Sequence, residues 1–545
     1  MSVYRWRFQR FAGWIIPLVL LILIFTRLLS IQVAPDGSRF FVDDETYQHL
    51  VIAENFSQTL QYGALPDAPL PMLNSMIWQG LIAVAHVLSL SVDAAAVGLG
   101  VIFAIVTLLV LIRLSHSVFS LPLYAHATAA LLVLSPTLIM EALRGTGAPL
   151  AMALIAGALT SHIESIKQNG RGLPLTSALL LGVALWMRIE FVVIWLLLWL
   201  HAGIAAFIPA AKRPGIGATF FRGLNGLIIF ALFLLPVAAW NTIQLGVPWP
   251  RVPTAPLAAD LWVQAGAGVA WQATQAQIMQ GLAMATGAFR EAAWPGGFFF
   301  GLFFLLGYVL MVIQVVRSAD DRVLFLFLLV PFVTPFFMAL VYPYLGSDSF
   351  HIVSLSFAPI LLLLVAYGVV RLPFIVRAIV RDRIPQLTSD RSFHIWWGAT
   401  GAIVVLAALL GMARERRALE ADIARNDEIR QVITRTIQDH GLSRDHFLTD
   451  RPGWLTWAHG LRVVDIRANW TPPLLQAVAL EGGYDPDSLT AFIETLSPPP
   501  SVVMVWSEEF YEHANVLRNP RGLLRPDPSA PEIPLLVMER TPVAL

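Results

Sequence analysis

The sequence contains no cysteine among its 545 residues. Disulfide scaffolds, thiolate nucleophiles and cysteine-ligated metal centres are therefore excluded outright. Charge is scarce as well: Asp, Glu, Lys and Arg make up 13% of the chain, about half of the ~25% usual in soluble domains. The net charge is zero, from 36 basic and 36 acidic residues, which removes the electrostatic footprint of a nucleic-acid binder. No glycine-rich phosphate loop of the Rossmann type is present, and there is no internal repeat or low-complexity tract. What the chain has in excess is apolar residues, 57% of the total, against ~45–50% in soluble domains. One core rarely grows beyond ~250–300 residues, so this composition over this length implies a polytopic α-helical membrane protein.

A bilayer core of ~30 Å takes about 20 apolar residues per helix. Runs of that kind lie near 11–33, 94–113, 121–140, 147–166, 173–189, 191–210, 224–242, 296–316, 323–342, 352–371 and 394–413. A further run, 71–91, opens on Pro71 and carries Asn74, Gln79 and His86. The basic residues decide whether it crosses, because short cytoplasmic loops collect Lys and Arg. With 71–91 lying on the outer face, the inner loops hold 16 basic and 5 acidic residues, and the outer loops 6 basic and 12 acidic. Were it to cross, every later basic loop would move outside. The sequence thus predicts about 11 transmembrane helices with outer juxtamembrane helices, in a module spanning 1–413 with long outer loops at 34–93 and 243–295. The amino terminus is cytoplasmic in this reading. The first run is an uncleaved span, since its apolar stretch exceeds the ~7–15 residues of a signal-peptide h-region.

The composition changes after residue 413. Residues 414–545 carry 14 basic and 19 acidic residues and no long apolar run. Arg414 to His440 has helical spacing, His446 to Ile466 reads as strand–helix–strand, and Ser501 to Trp506 reads as a buried strand. This is a small soluble α/β domain, extracytoplasmic by the count of spans. The zero net charge then divides into +11 inside and −11 outside.

Chemistry concentrates in the first outer loop, where Asp43, Asp44 and Glu45 are consecutive. A partly desolvated carboxylate at the membrane face suits a general base. A structural reading stands beside it, because acids also favour the first turn of a helix through its dipole. Arg188 and Arg144 are outer-face arginines whose planar forks suit a phosphodiester. The alternative for each is a cation snorkelling to the interface, and for Arg144 an i,i+3 pair with Glu141. Glu190, two residues beyond Arg188, His49 on the helix after the acids, and His351 near Asp348 are supporting candidates. No His or carboxylate spacing defines a metal site; a divalent ion, if one binds, would go to Asp43 or Asp44. Gln264 to Phe289, in the 243–295 loop, has the Ala- and Gln-rich character of a helical lid.

The order of these features resembles the GT-C superfamily, polytopic glycosyltransferases that use a polyprenyl-phosphate sugar. The resemblance rests on Asp43-Asp44 followed by a helix to Gly63 and an apolar helix after a Pro-rich joint, on SPTLIMEALRGTGAPLAMALIAGAL (135–159), and on GVALWMRIEFVVIW (182–195). LPVAAWNTIQLGVPWPRVP (235–253) sits where that family has an aromatic loop. FLTDRPGWLTWAHGLRVVDI (447–466) is similar to the soluble domain of the bacterial mannosyl- and arabinosyltransferase branch. Two departures are visible. Ile189 stands where the family has proline, and the last outer loop lacks the family's arginine, with His351 nearby instead.

The resemblance implies transfer of a hexose or pentose from polyprenyl phosphate to a hydroxyl of a glycan, lipid or protein, with inversion. It places that chemistry on the extracytoplasmic side of the inner membrane. Asp43 or Asp44 would be the base, with Asp43 preferred and Asp44 then its orienting or metal-binding neighbour, and Arg188 and Arg144 would be the phosphate ligands. The competing class is a transporter or flippase for lipids or polysaccharides. Such proteins often show related halves and broken midplane helices, whereas here no repeat is seen and the acids lie in a loop.

Overall fold

The computed structural model describes residues 41–248 (apart from 42, 66–67, 71–74, 120, 135, 170–171, 189–190, 210–213, 247 and parts of the last turn), 298–330, 356–381 and 390–439. It also describes helical stretches within 17–26 and the segments 447–449, 452–459, 463–465, 502–505 and 536–539. The acidic triplet starts helix α1 (Asp44–Thr59), which Asp43 enters in an extended conformation. Asp44 and Glu45 occupy its first turn, where the helix dipole favours negative charge. Its buried face, Thr46, His49, Leu50 and Ala53, has the i, i+3, i+4, i+7 spacing of a helix lying on a core. A short antiparallel hairpin, β1 (Gly63–Leu65) and β2 (Ala68–Pro69), leads to α2 (Met76–Val87).

Helix α2 has 12 residues, about 18 Å of axis, too short for a ~30 Å hydrocarbon core. Trp78, Gln79, Ile82 and Ala83 are buried, while Val84, Val87 and Leu88 are exposed. One face of α2 is thus packed on the bundle and the other is exposed.

The bundle follows as α3 (Val92–Val118), α4 (Pro122–Val133), α5 (Pro136–Arg144), α6 (Ala148–Asn169), α7 (Leu175–Leu185) and α8 (Val192–Phe207). It continues as α9 (Ile216–Leu245), α10 (Phe298–Arg317), a 3-10 turn at Arg322–Phe325, α11 (Ala358–Arg381) and α12 (Asp390–Asp439). Among the described residues, five helices are long and apolar enough to cross a membrane, or six if the α4–α5 pair, bent by 46°, is one span. The protein is thus multi-pass. Lipid-facing surface is evident on α9, where Phe220, Phe221, Leu224, Leu227 and Leu232 are exposed. Helices α10 and α11 cross with their backbones in contact: a Cβ on Gly307 would meet the Leu364 carbonyl, and one on Gly368 the Phe303 carbonyl. Small residues of this kind permit close helix packing in a bilayer.

Charged pairs sort to the two ends of α3. Near its start, Ala96 packs beside Gly145, the residue after Arg144; near its end, Arg113 pairs with Glu164 at 2.7 Å. The separation of 17 positions corresponds to about 25 Å of helix. Lys167–Asp321 (3.5 Å) is a second pair in the loops that the basic-residue count assigns to the inner side.

Helix α12 is 50 residues long and continues unbroken through residue 413, so the change in composition falls inside one helix. Beyond it come β3 (Phe447–Thr449), α13 (Pro452–His459), β4 (Val463–Asp465), β5 (Val502–Val505) and β6 (Leu536–Glu539). The strand order is β4-β3-β5-β6, with β3 parallel to both neighbours and β6 antiparallel to β5. Helix α13 makes the crossover between β3 and β4, a βαβ unit.

The α10–α11 crossing gives a direct test. Gly368→Ala forces a methyl group onto the Phe303 carbonyl, and overpacking of this kind costs about 1–3 kcal/mol. Its thermal midpoint in detergent should fall below that of the wild type. Gly301→Ala, on the same pair's α10 but with nothing within 4 Å of the added methyl, should leave the midpoint unchanged.

Candidate functional site

The chain brings four remote segments to the first turn of α1. Helix α5 ends at Gly145, whose φ of +73° is the left-handed conformation that glycine tolerates. A Cβ there would lie 3.0 Å from Thr46 Cγ2 and 3.1 Å from Phe41 Cε1. Thr46 Oγ1 donates to the Arg144 carbonyl at 2.6 Å, and Trp78 Nε1 donates to the Gly145 carbonyl at 2.9 Å. These contacts hold Arg144 over the acidic turn. Its Nη1 donates to Glu141 Oε1 at 2.9 Å and its Nε lies 3.6 Å from Asp43 Oδ2. Asp43 is 39% exposed and Arg144 28%.

Arg188 arrives from the end of α7, where the Ser75 N–H donates to the Met187 carbonyl at 2.7 Å and ties that end to the start of α2. The Arg188 side chain is 1% exposed, and its Nη2 donates to Glu45 Oε1 at 2.7 Å. His49 is buried behind this pair. Tyr62 O–H donates to Gln79 Oε1, which turns the Gln79 amide nitrogen toward His49 Nδ1 at 3.0 Å. The network therefore places the imidazole proton on Nε2, 3.7 Å from Glu45 Oε1. Burial, and then the Arg188 cation, push the His49 pKa down to about 3. His49 is neutral at neutral pH.

The fourth segment is the carboxy-terminal part of the chain. Asp44 accepts from the Gly453 N–H at 3.1 Å and the Trp454 N–H at 2.9 Å, and from Gln48 Nε2 at 2.9 Å. Arg430, on α12, donates from Nη2 to the Phe41 carbonyl at 2.9 Å and to Tyr47 Oη at 2.7 Å. Its guanidinium carbon lies 5.1 Å from the Tyr47 ring centroid and 5.3 Å from that of Trp454. Burial raises the Tyr47 pKa, opposed by Arg430.

Asp43, Asp44, Glu45, His49, Arg144 and Arg188 are thus brought together. Glu190, His351 and the helical segment 264–289 lie outside the described residues. Arg430, Gly453, Gln79 and Tyr62 belong to the site and carry no motif that singles them out. One sequence signal existed for the Asp44 contact. The residue before Pro452 is Arg451, whose side chain cannot accept a hydrogen bond, so the start of α13 needs an acceptor from elsewhere. As a place for a metal ion the donor set fits poorly. Both Asp44 oxygens accept from N–H groups, Asp43 faces an arginine, and among the described residues no group of three His, Asp or Glu could hold an ion.

No family model matches the chain, and no curated protein matches its sequence. Solved structures do share its fold. The archaeal oligosaccharyltransferase AglB from Archaeoglobus fulgidus, in complex with an inhibitory peptide and a dolichol-phosphate, superposes with a TM-score of 0.54 at 12% identity, over 91% of this chain and 70% of that one. The apo form of the Archaeoglobus fulgidus oligosaccharyltransferase gives 0.50 at 10% identity, over 91% and 71%. ArnT from Cupriavidus metallidurans bound to undecaprenyl phosphate gives 0.49 at 12% identity, over 92% and 95%. At these identities the likeness is one of fold alone: the chain shares the architecture of the archaeal oligosaccharyltransferase.

Two measurements check the electrostatics. Glu45→Gln leaves the Arg188 cation buried against a neutral amide and should destabilise the protein by about 3 kcal/mol. Glu45→Gln combined with Arg188→Met should cost less than the single change, read as thermal midpoints in a double-mutant cycle. For His49, an unfolded pKa of 6.5 and a folded pKa of about 3 mean that only the unfolded state takes up a proton between them. Its burial therefore costs nothing above pH 6.5 and progressively more as the pH falls toward 3, about 1.4 kcal/mol per unit. The stability advantage of wild type over His49→Gln should shrink by about 2 kcal/mol from pH 7 to pH 5.

Proposed function

We propose that the protein is a membrane glycosyltransferase that moves a sugar from a polyprenyl-phosphate donor to an acceptor hydroxyl at the extracytoplasmic face of the inner membrane. The observation that carries this reading is the half-exposed Asp43 beside Arg144, at a loop–helix junction of a fold shared with an oligosaccharyltransferase. The acceptor oxygen attacks the anomeric carbon from the side opposite the phosphate and gives its proton to the Asp43 carboxylate. The bond between the anomeric carbon and the phosphate oxygen breaks, its electron pair leaves with the polyprenyl phosphate, and configuration inverts. Negative charge grows on that leaving group, where an arginine fork is the fitting partner.

Of the two arginines, Arg144 is the better placed for the phosphate, being 28% exposed and shared between Glu141 and Asp43, whereas Arg188 is buried on Glu45. An entering phosphodiester competes for Arg144 and draws the cation from Asp43, which makes that carboxylate a stronger base. Asp44, with both oxygens engaged, is not the base in this scheme. The donor belongs with the hexoses and pentoses, as the resemblance to the mannosyl- and arabinosyltransferase branch implies; the acceptor is a glycan, lipid or protein hydroxyl.

The test uses purified full-length protein in nanodiscs with undecaprenyl-phosphate mannose, arabinose or glucose as donor and octyl glycosides as acceptor. Wild type should release undecaprenyl phosphate with product of inverted configuration. Asp43→Asn should lower kcat by about 10²–10⁴ while still binding undecaprenyl phosphate, and Arg144→Ala should weaken that binding. Full activity in Asp43→Asn would remove it as the base.

A further inference from the structure

We infer that Asp44, Arg430 and Gly453 clamp the carboxy-terminal sheet unit onto the acidic turn and act as positioning residues for Asp43. The inference rests on the reading of Asp43 as base and adds a requirement to it: transfer proceeds only while α13 is seated on α1.

Both flanks of Asp43 are held from the far end of the chain. On one side, the Phe41 carbonyl accepts from Arg430 at 2.9 Å, and the Phe41 N–H donates to Tyr47 Oη at 3.0 Å, an oxygen that itself accepts from Arg430 at 2.7 Å. On the other, the Asp44 carboxylate accepts the Gly453 and Trp454 N–H groups at 3.1 and 2.9 Å. Those N–H groups open α13 and have no partner within their own helix. A carboxylate there satisfies both and meets the positive end of the helix dipole. Arg430 then closes the join, with its guanidinium against the rings of both Tyr47 and Trp454.

Gly453 supplies an independent observation. A Cβ at this position would lie 2.6 Å from the Asp44 carbonyl oxygen and 2.7 Å from the Gln48 backbone nitrogen. Backbone meets backbone here, so neither side can move aside as a flexible side chain would. Trp454 and Leu455, 8% and 0% exposed, are buried on the inner side of the same helix. Phe41, Asp44, Tyr47 and Gln48 therefore form one joint with Arg430, Gly453 and Trp454, and the depth and direction of Asp43 are set by whether it is closed. A base displaced by even an ångström loses much of its effect.

The experiment uses the full chain in nanodiscs and reads hydrogen exchange and transfer separately. Gly453→Ala should speed exchange in both 44–50 and 452–459 and leave 148–169 unchanged. In the undecaprenyl-phosphate sugar assay it should lower kcat at least tenfold with the donor KM within twofold. It should also shift the acidic limb of the pH profile. Arg430→Ala should do the same, and Arg430→Lys, which keeps a cation and an N–H donor, should recover part of the loss. Should Gly453→Ala fail to fold, the Arg430 pair carries the test alone. Unchanged exchange in these variants would overturn the clamp. Faster exchange with an unchanged kcat would overturn the positioning role. A wild type inactive toward every donor would overturn the function reading and the catalytic consequence together, while exchange still decides the clamp.

Discussion

Three consecutive carboxylates cannot point the same way. Successive residues entering a helix turn by about 100°, so Asp43, Asp44 and Glu45 face three directions from one turn, and each meets a different part of the chain. Asp43 faces Arg144, Asp44 takes the first N–H groups of α13, and Glu45 takes Arg188. The Glu45–Arg188 contact spans 143 residues of sequence, and the Asp44–Gly453 contact 409. The dipole of α1 favours the negative charge that such a hub requires. Removing the triplet would leave α5, the end of α7 and the carboxy-terminal unit without their common partner.

Concentrating charge in this way has a cost that His49 limits. Arg188 is 1% exposed, and a buried arginine is tolerated only with its counter-charge in place. A protonated imidazole at 3.7 Å from Glu45 would add a second cation to one carboxylate. The Tyr62–Gln79 relay prevents this by fixing an acceptor nitrogen against the amide, and burial does the rest. Neutral His49 thus supports the ion pair by its shape and its proton position, without charge of its own.

How much of this could be read from the sequence depended on distance along the chain. The acidic turn, its helix, the short apolar helix within 71–91 and the two arginines are local patterns of charge and periodicity, and they were legible. The i,i+3 pairing of Arg144 with Glu141 was also open to reading, and it forms alongside the contact with Asp43 rather than in place of it. The joint between α1 and α13 was not legible. Arg430 is one of several arginines on a charged helix, and Gly453 after Pro452 looks like an ordinary turn. Nothing local says that a glycine is needed because another backbone passes within 3 Å of where a Cβ would stand. Equally hidden was the continuity of α12, since polarity changes at residue 413 while helix propensity does not. The count of eleven spans was drawn from hydropathy, and the described helices long enough to cross number five or six.

The two ends of the bundle use charge differently, and the difference bears on where function resides. At the end carrying Arg113 and Glu164, the arginine is 67% exposed, and such a pair is worth little to stability. At the other end, Arg188 and Glu141 are 1% and 3% exposed and His49 is 3% exposed. Groups so desolvated are poor stabilisers, because an apolar core of the same volume would serve as well or better. Ionisable groups beside a membrane persist where they act on something. The Arg113–Glu164 pair is thus close to neutral for stability. The cluster around Asp43 holds a half-exposed acid and an arginine beside a desolvated ion pair, the feature on which the proposed transfer from a phosphorylated lipid rests.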